Sequence, residues 1–192
     1  MHPDRKNVRW LQRPFPRGAA VCLLNPLQDF PGTELEHRFL TFFHRHTTPI
    51  ISGSFDSDFW SVLLPCVGQT EPTIQHAMIA VGAVYARLES TDKLLHVFGS
   101  REESQRYELQ QYNKAIRNLR RHLSANSVTL EVTLSVCVLL ICLELLQGSI
   151  EHAILHLQGG MSILDGYQTA GSLRSESIAH KLENIFYRLG MQ

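Results

Sequence analysis

The chain of 192 residues carries 18 basic and 18 acidic side chains, so no overall field drives it onto nucleic acid or an acidic membrane. Hydrophobic residues make up 44% of it, enough to build a core and too many for a disordered chain. Its four cysteines, Cys22, Cys66, Cys137 and Cys142, form no C-x-x-C pair; this excludes a zinc knuckle and a thioredoxin-type motif and marks them as reduced thiols of an intracellular protein.

Residues 1–32 read as an arm or linker. Pro3, Pro14, Pro16, Pro26 and Pro31 break any helix, and Arg5, Lys6, Arg9, Arg13 and Arg17 face only Asp4 over the first 18 positions. No apolar leader with a small-residue cleavage site follows. From Thr33 the pattern turns helical. Thr33 and Glu36 have the spacing of a capping box, and Leu35, Phe39, Phe42, Phe43 and His46 share one face of a helix that Pro49 is expected to end.

The stretch "SGSFDSDFW", residues 52–60, has two readings. With Asp56 as N-cap, Phe55 and Trp60 fall at the positions of a hydrophobic staple, Asp58 meets the positive end of the helix dipole, and Phe59 and Trp60 anchor the second helix. Asp56 and Asp58 also spell D-x-D, the pattern of a metal-dependent transferase, but that chemistry wants a phosphate-binding loop at a strand end and none is present. Pro65 is expected to kink or end this helix.

A third helix starts with Pro72 in the favoured first position and turns Ile74, Met78, Val81, Tyr85 and Leu88 inward, while Ala77, Ala80, Gly82, Ala83 and Ala86 allow a neighbour close approach. In the fourth, Leu109, Tyr112, Ile116, Leu119 and Leu123 form an apolar seam about two heptads long. Lys114, Arg117, Arg120 and Arg121 near its end, with Glu102, Glu103 and Glu108 upstream, suit the macrodipole and do not require a nucleic acid.

Residues 128–146 are nearly as long as a membrane span, but Glu131 and Glu144 leave an uninterrupted apolar run of only 12 residues, the length of a buried core helix opened by Ser127. Ile150, Ile154, Leu157, Met161 and Leu164 mark a sixth helix, and Ile178, Leu182, Ile185 and Leu189 a seventh. His152 and His156 stand i, i+4 as metal ligands do, yet no third ligand is identifiable and the order is not H-E-x-x-H. No alternating strand pattern with hairpin turns occurs. The expected fold is all-α, an array of antiparallel helical hairpins. A shared A-I-x-x-L core at Ala115 and Ala153 hints at a helical repeat.

Four blocks, "FLTFFHRHTTPIISGSFDSDFWSVLLP", "EPTIQHAMIAVGAVYARLE", "LQQYNKAIRNLRRHLS" and "LSVCVLLICLELLQGSIEHAILHLQGGMSIL", resemble in order and spacing the regulatory region of fungal zinc-cluster transcription factors. The resemblance covers residues 33–192 and implies a nuclear, non-enzymatic regulatory module that receives a protein partner or small effector. It implies no cofactor in these residues: the binuclear zinc module that reads DNA in such factors needs six cysteines, and this chain has four. It also implies that the helical domain continues past Gln192, so a fragment, a short paralogue or a truncated gene model is expected; a further alternative is a truncated, non-functional product, since a cut array exposes apolar surface. The rival class is a metal-dependent enzyme using Asp56 and Asp58 or His152 and His156.

Overall fold

The computed structural model describes residues 30–52, 59–60, 64–89, 97–125 and 129–169. Among these residues the fold is all-α, with no strand: α1 (Glu34–Phe42), a π-helical turn (Phe43–Thr47), α2 (Thr48–Ser52), α3 (Leu64–Gly68), α4 (Pro72–Glu89), α5 (Arg101–Ser124), α6 (Leu130–Leu146) and α7 (Ile150–Thr169). The arm at 1–29, the turn around Phe55, Asp56 and Asp58, the expected N-cap Ser127 and the expected helix at 178–189 lie outside the described residues.

α1 starts as its sequence predicts. The Thr33 backbone N–H donates to Glu36 Oε2 at 2.8 Å and the Glu36 N–H donates to Thr33 Oγ1 at 3.3 Å, which closes the capping box. Pro49 does not end the helix, contrary to expectation. The turn before it widens, so that the Thr48 N–H and the Thr48 hydroxyl both reach the Phe43 carbonyl, and Pro49 falls in the first turn of α2. A proline lacks an N–H and is tolerated where the regular ladder has already been broken. Pro65 likewise sits in the first turn of α3. His46, expected to point inward, is exposed.

α4 is the centre of the array. Every residue from Thr73 to Ala86 except His76 is buried, and the helix packs against α1, α5 and α6. Its small residues make this possible. A Cβ at Gly82 would stand 2.8 Å from the Phe39 carbonyl oxygen, so α1 crosses at a distance only glycine allows. Leu88 is a correction: it lies beyond this envelope and is 46% exposed.

α5 is the larger correction. Its buried residues are Ser104, Glu108, Gln111, Ala115 and Leu119; of the expected seam Leu119 is buried and Tyr112 and Ile116 pack against the core in part, but Leu109 and Leu123 are 59% and 45% exposed. The inward face is turned about a quarter of a circle from the apolar stripe, at 100° per residue. The reason is polar. Gln111 Nε2 and Lys114 Nζ donate to Glu36 Oε1 at 2.9 and 2.7 Å, and Gln111 Oε1 lies 2.8 Å from His76 Nδ1, tying α1, α4 and α5 together. Because Gln111 gives its amide N–H to Glu36, its oxygen faces His76, whose Nδ1 must carry the proton. α7 turns in the same way: Ala153, Gly160 and Leu164 are buried, whereas Ile150 and Ile154, expected inside, are exposed. In both A-I-x-x-L segments it is the alanine that makes the close contact.

α6 is apolar all round and buried along most of its length, with Thr129 as the observed N-cap. None of the described helices is long and apolar enough to cross a membrane. Cys137 lies in this core, and burial pushes its thiol up to about 12, far from the reactive thiolate at neutral pH.

Phe59 and Trp60 are fully buried, with ring centroids 5.0 Å apart in an edge-to-face arrangement. Trp60→Ala is therefore expected to cost about 3 to 5 kcal/mol in a denaturant unfolding experiment. A loss under about 1 kcal/mol would place the indole at the surface. A second expectation concerns acid. Burial works against the charge of Glu36, but Lys114, the Thr33 N–H and Gln111 together outweigh it and hold the carboxyl at about 2 instead of 4.5. A depressed carboxyl contributes stability that is complete above about pH 4.5 and disappears as pH falls through about 2. Lys114 is 44% exposed, so solvent screening limits the effect to on the order of 1 to 2 kcal/mol. Glu36→Gln, which keeps an acceptor for the cap, should flatten the acid limb of a stability-versus-pH curve; an unchanged limb would show that other groups set it.

Candidate functional site

The site is a groove of about 770 Å³ where the end of α4, the first half of α5, the end of α6 and the start of α7 meet. Its position follows from one turn. At the end of α6, Gly148 adopts φ 77°, a conformation that glycine takes without steric penalty. The Gly148 N–H then donates to the Leu145 carbonyl at 3.1 Å and the Ser149 N–H to the Glu144 carbonyl at 2.8 Å, the two bonds of a Schellman closure. The chain reverses within three residues, and α7 starts at once, so that His152 and His156 pass over Glu144.

One wall holds a buried ion pair. Arg87 donates from Nε and its terminal nitrogen to the two oxygens of Glu108 at 2.7 and 3.1 Å, and the Ser104 hydroxyl adds a bond to the same carboxylate. Arg87 and Glu108 thereby neutralise each other in a forked geometry. Glu108 was expected to serve the helix dipole from the surface; instead it faces α4.

The opposite wall holds a carboxylate whose hydrogen-bond partner is the neutral Tyr112 hydroxyl rather than a guanidinium. Glu144 is 8% exposed, and its nearest basic groups are His152 Nδ1 at 3.9 Å and His156 Nε2 at 3.8 Å. Among the described residues no lysine or arginine nitrogen comes within 4.0 Å of it. His152 instead contacts Ser149 Oγ at 2.7 Å, and His156 contacts the Tyr112 hydroxyl at 3.2 Å. Burial lowers the basicity of His156, an effect that the Glu144 charge only partly offsets, so this imidazole is uncharged at neutral pH. Burial raises the Tyr112 phenol, and the Glu144 charge and a hydrogen bond from the phenol to the Glu144 carboxylate raise it further. Between the two walls the surface is apolar, with Leu143 beneath and Leu109 at the rim.

The residues singled out from the sequence divide accordingly. Phe59 and Trp60 belong to the core and do not line this groove; Phe55, Asp56 and Asp58 lie outside the described residues. The structure does bring His152 and His156 to one place, with Glu144 between them. Even so, no three His, Cys, Asp or Glu side chains among the described residues are placed to hold a metal ion. His44, Arg45 and His46 lie on the π-turn, where burial lowers His44 to about 4, leaving it neutral. Arg87, Glu108 and Glu144 have no motif that sets them apart. The one available signal was a charged residue at a helical position otherwise expected inside, as for Glu144 in its apolar run.

Comparison with known proteins bears directly on this arrangement. Residues 38–189 match the model described as the fungal specific transcription factor domain. The chain is 32% identical over 149 residues to the Aspercryptin biosynthesis cluster-specific transcription regulator of Emericella nidulans, an alignment that takes in 74% of this chain and 23% of that regulator. No solved structure matches the chain.

The Arg87–Glu108 pair sets an expectation for mutagenesis. Arg87→Met alone strands a buried carboxylate and should cost about 3 to 5 kcal/mol, whereas Arg87→Met combined with Glu108→Leu should cost much less. Additive losses in the double-mutant cycle would mean that the two side chains are not coupled.

Proposed function

Because residues 38–189 match it across most of the chain, the protein belongs to the fungal specific transcription factor domain family, and we propose that it is the regulatory and interaction module of a zinc-cluster regulator in the nucleus. Transcription regulation is the role of the family. In this reading the module makes no DNA contacts of its own; DNA is read by a zinc-binding part of the parent protein, and the helical array receives the signal. The chain aligns with less than a quarter of the Emericella nidulans regulator, which fits one module of a longer factor. That regulator is named for a biosynthesis cluster, and we infer that this chain serves clustered biosynthetic genes in the same way.

The match from 38 to 189 is the observation that carries this reading. The chemistry of the fold supports a non-enzymatic role as well. Two of its buried carboxylates, Glu36 and Glu108, are occupied by Lys114 and Arg87, and groups so engaged are not available to act on a substrate. The groove beside them offers a receptor surface instead.

The test is a transcriptional one. The full chain, fused to a heterologous DNA-binding module in a fungal host, should change a reporter several-fold relative to that module alone. Trp60→Ala, which undermines the core, should remove the change. A correctly folded fusion that behaves like the bare DNA-binding module would sink the proposal and favour a product without regulatory activity.

A further inference from the structure

We propose that the groove between α4, α5, α6 and α7 binds a small amphipathic organic cation, with Glu144 as the counter-ion of a protonated amine and the leucine surface holding its apolar body. This rests on the regulatory reading above and names the class of effector such a module would take.

Glu144 is in a poor place for a carboxylate. It is 8% exposed, and it stands in the last turn of α6, at the negative end of the helix dipole. A buried charge normally comes with a partner of opposite sign that offsets its desolvation. Among the described residues the candidate cations are committed elsewhere or too far away, and Tyr112 supplies a neutral hydrogen bond only. Arg87, in the same groove, gives its guanidinium to Glu108 at 2.7 and 3.1 Å. Arg101 lines the groove from the first turn of α5, but no ion pair joins it to Glu144. His152 and His156 stand at 3.9 and 3.8 Å, beyond hydrogen-bond distance. Among the described residues Glu144 therefore has a neutral hydroxyl and two more distant imidazoles beside it but no lysine or arginine, and the groove has room for a cation supplied from outside.

The surroundings define the rest of the ligand. Tyr112 shares the groove with Glu144 and hydrogen-bonds it, and its ring adds the aromatic surface that attracts an ammonium group. Leu109, Leu143 and Leu146 line the remainder, so the cation must carry a hydrocarbon body. A volume of about 770 Å³ suits a small molecule, since pockets for such ligands run roughly 300 to 1,000 Å³. An anion would meet Glu144, and a neutral lipid would leave it unmatched.

The probes are n-octylammonium, octanoate and octanol, which share one body and differ in head group, titrated calorimetrically into the full chain at neutral pH. Octylammonium should bind saturably, at one site, at least tenfold more tightly than either of the others. Glu144→Gln should weaken octylammonium at least tenfold, leave octanol unchanged, and keep or raise the melting temperature, because an unmatched buried charge is removed. Leu109→Arg, at an exposed position, should weaken octylammonium without unfolding the chain. Equal binding of all three probes, no saturable binding of octylammonium, or a Glu144→Gln variant that melts lower at unchanged affinity would overturn the proposal. The last result would make Glu144 a structural partner of Tyr112 and His156, and the absence of octylammonium binding would point to a macromolecular occupant. Binding is read here without transcription, so failure would leave the reporter result standing, and a silent reporter would leave the binding result standing.

Discussion

The fold depends on a central helix that has almost no outside. α4 is buried from Thr73 to Ala86 apart from His76, so α1, α5 and α6 must all close around it at once. Alanine and glycine make this possible by removing side-chain bulk at the crossings, and Gly82 lets the α1 backbone come within contact of the α4 backbone. Close backbone approach gains dispersion contacts along the whole length of the helix pair. It also leaves little room for adjustment, which is why the surrounding helices have one orientation each.

That constraint accounts for the polar interior. α5 buries only Ala115 and Leu119 among its apolar residues and docks as well through Glu108, Gln111 and Lys114, each met by a group from another helix. Buried polar groups satisfied in this way specify geometry, because a rotated or shifted helix would lose several bonds together. The same choice sends Leu109 outward, where it becomes the rim of the groove. The core and the groove are thus two results of one docking decision.

The groove contrasts two ways of holding charge. Arg87 and Glu108 complete each other and serve the fold; Glu144, a few ångströms from two imidazoles, is left incomplete. In a family whose members regulate transcription, a cavity with unmatched charge, built at the junction of four helices, is well placed to couple occupancy to helix position. Under the proposal above, a bound amine that draws α7 toward α6 would couple occupancy to helix position. The energetic requirement is only that the ligand prefer one arrangement over the other.

Local rules were enough to read much of this chain. The capping box at Thr33 and Glu36, the start of α4 at Pro72, its small-residue face, the buried character of α6 and the all-α class are determined by neighbours in sequence, and they stand as expected. So does the family, because its blocks are written in order along the chain. Tertiary structure alone decided which face of α5 and α7 turns inward. Hydrophobic spacing predicts the face that would be buried against an apolar neighbour, and it has no means of knowing that α4 and α1 present Arg87, His76 and Glu36 instead. It could not show Pro49 absorbed by a widened turn, nor Glu144 brought beneath His152 by the reversal at Gly148. Periodicity records what each helix is made of, whereas the partner of a buried charge lies on another helix, and only folding brings the two together.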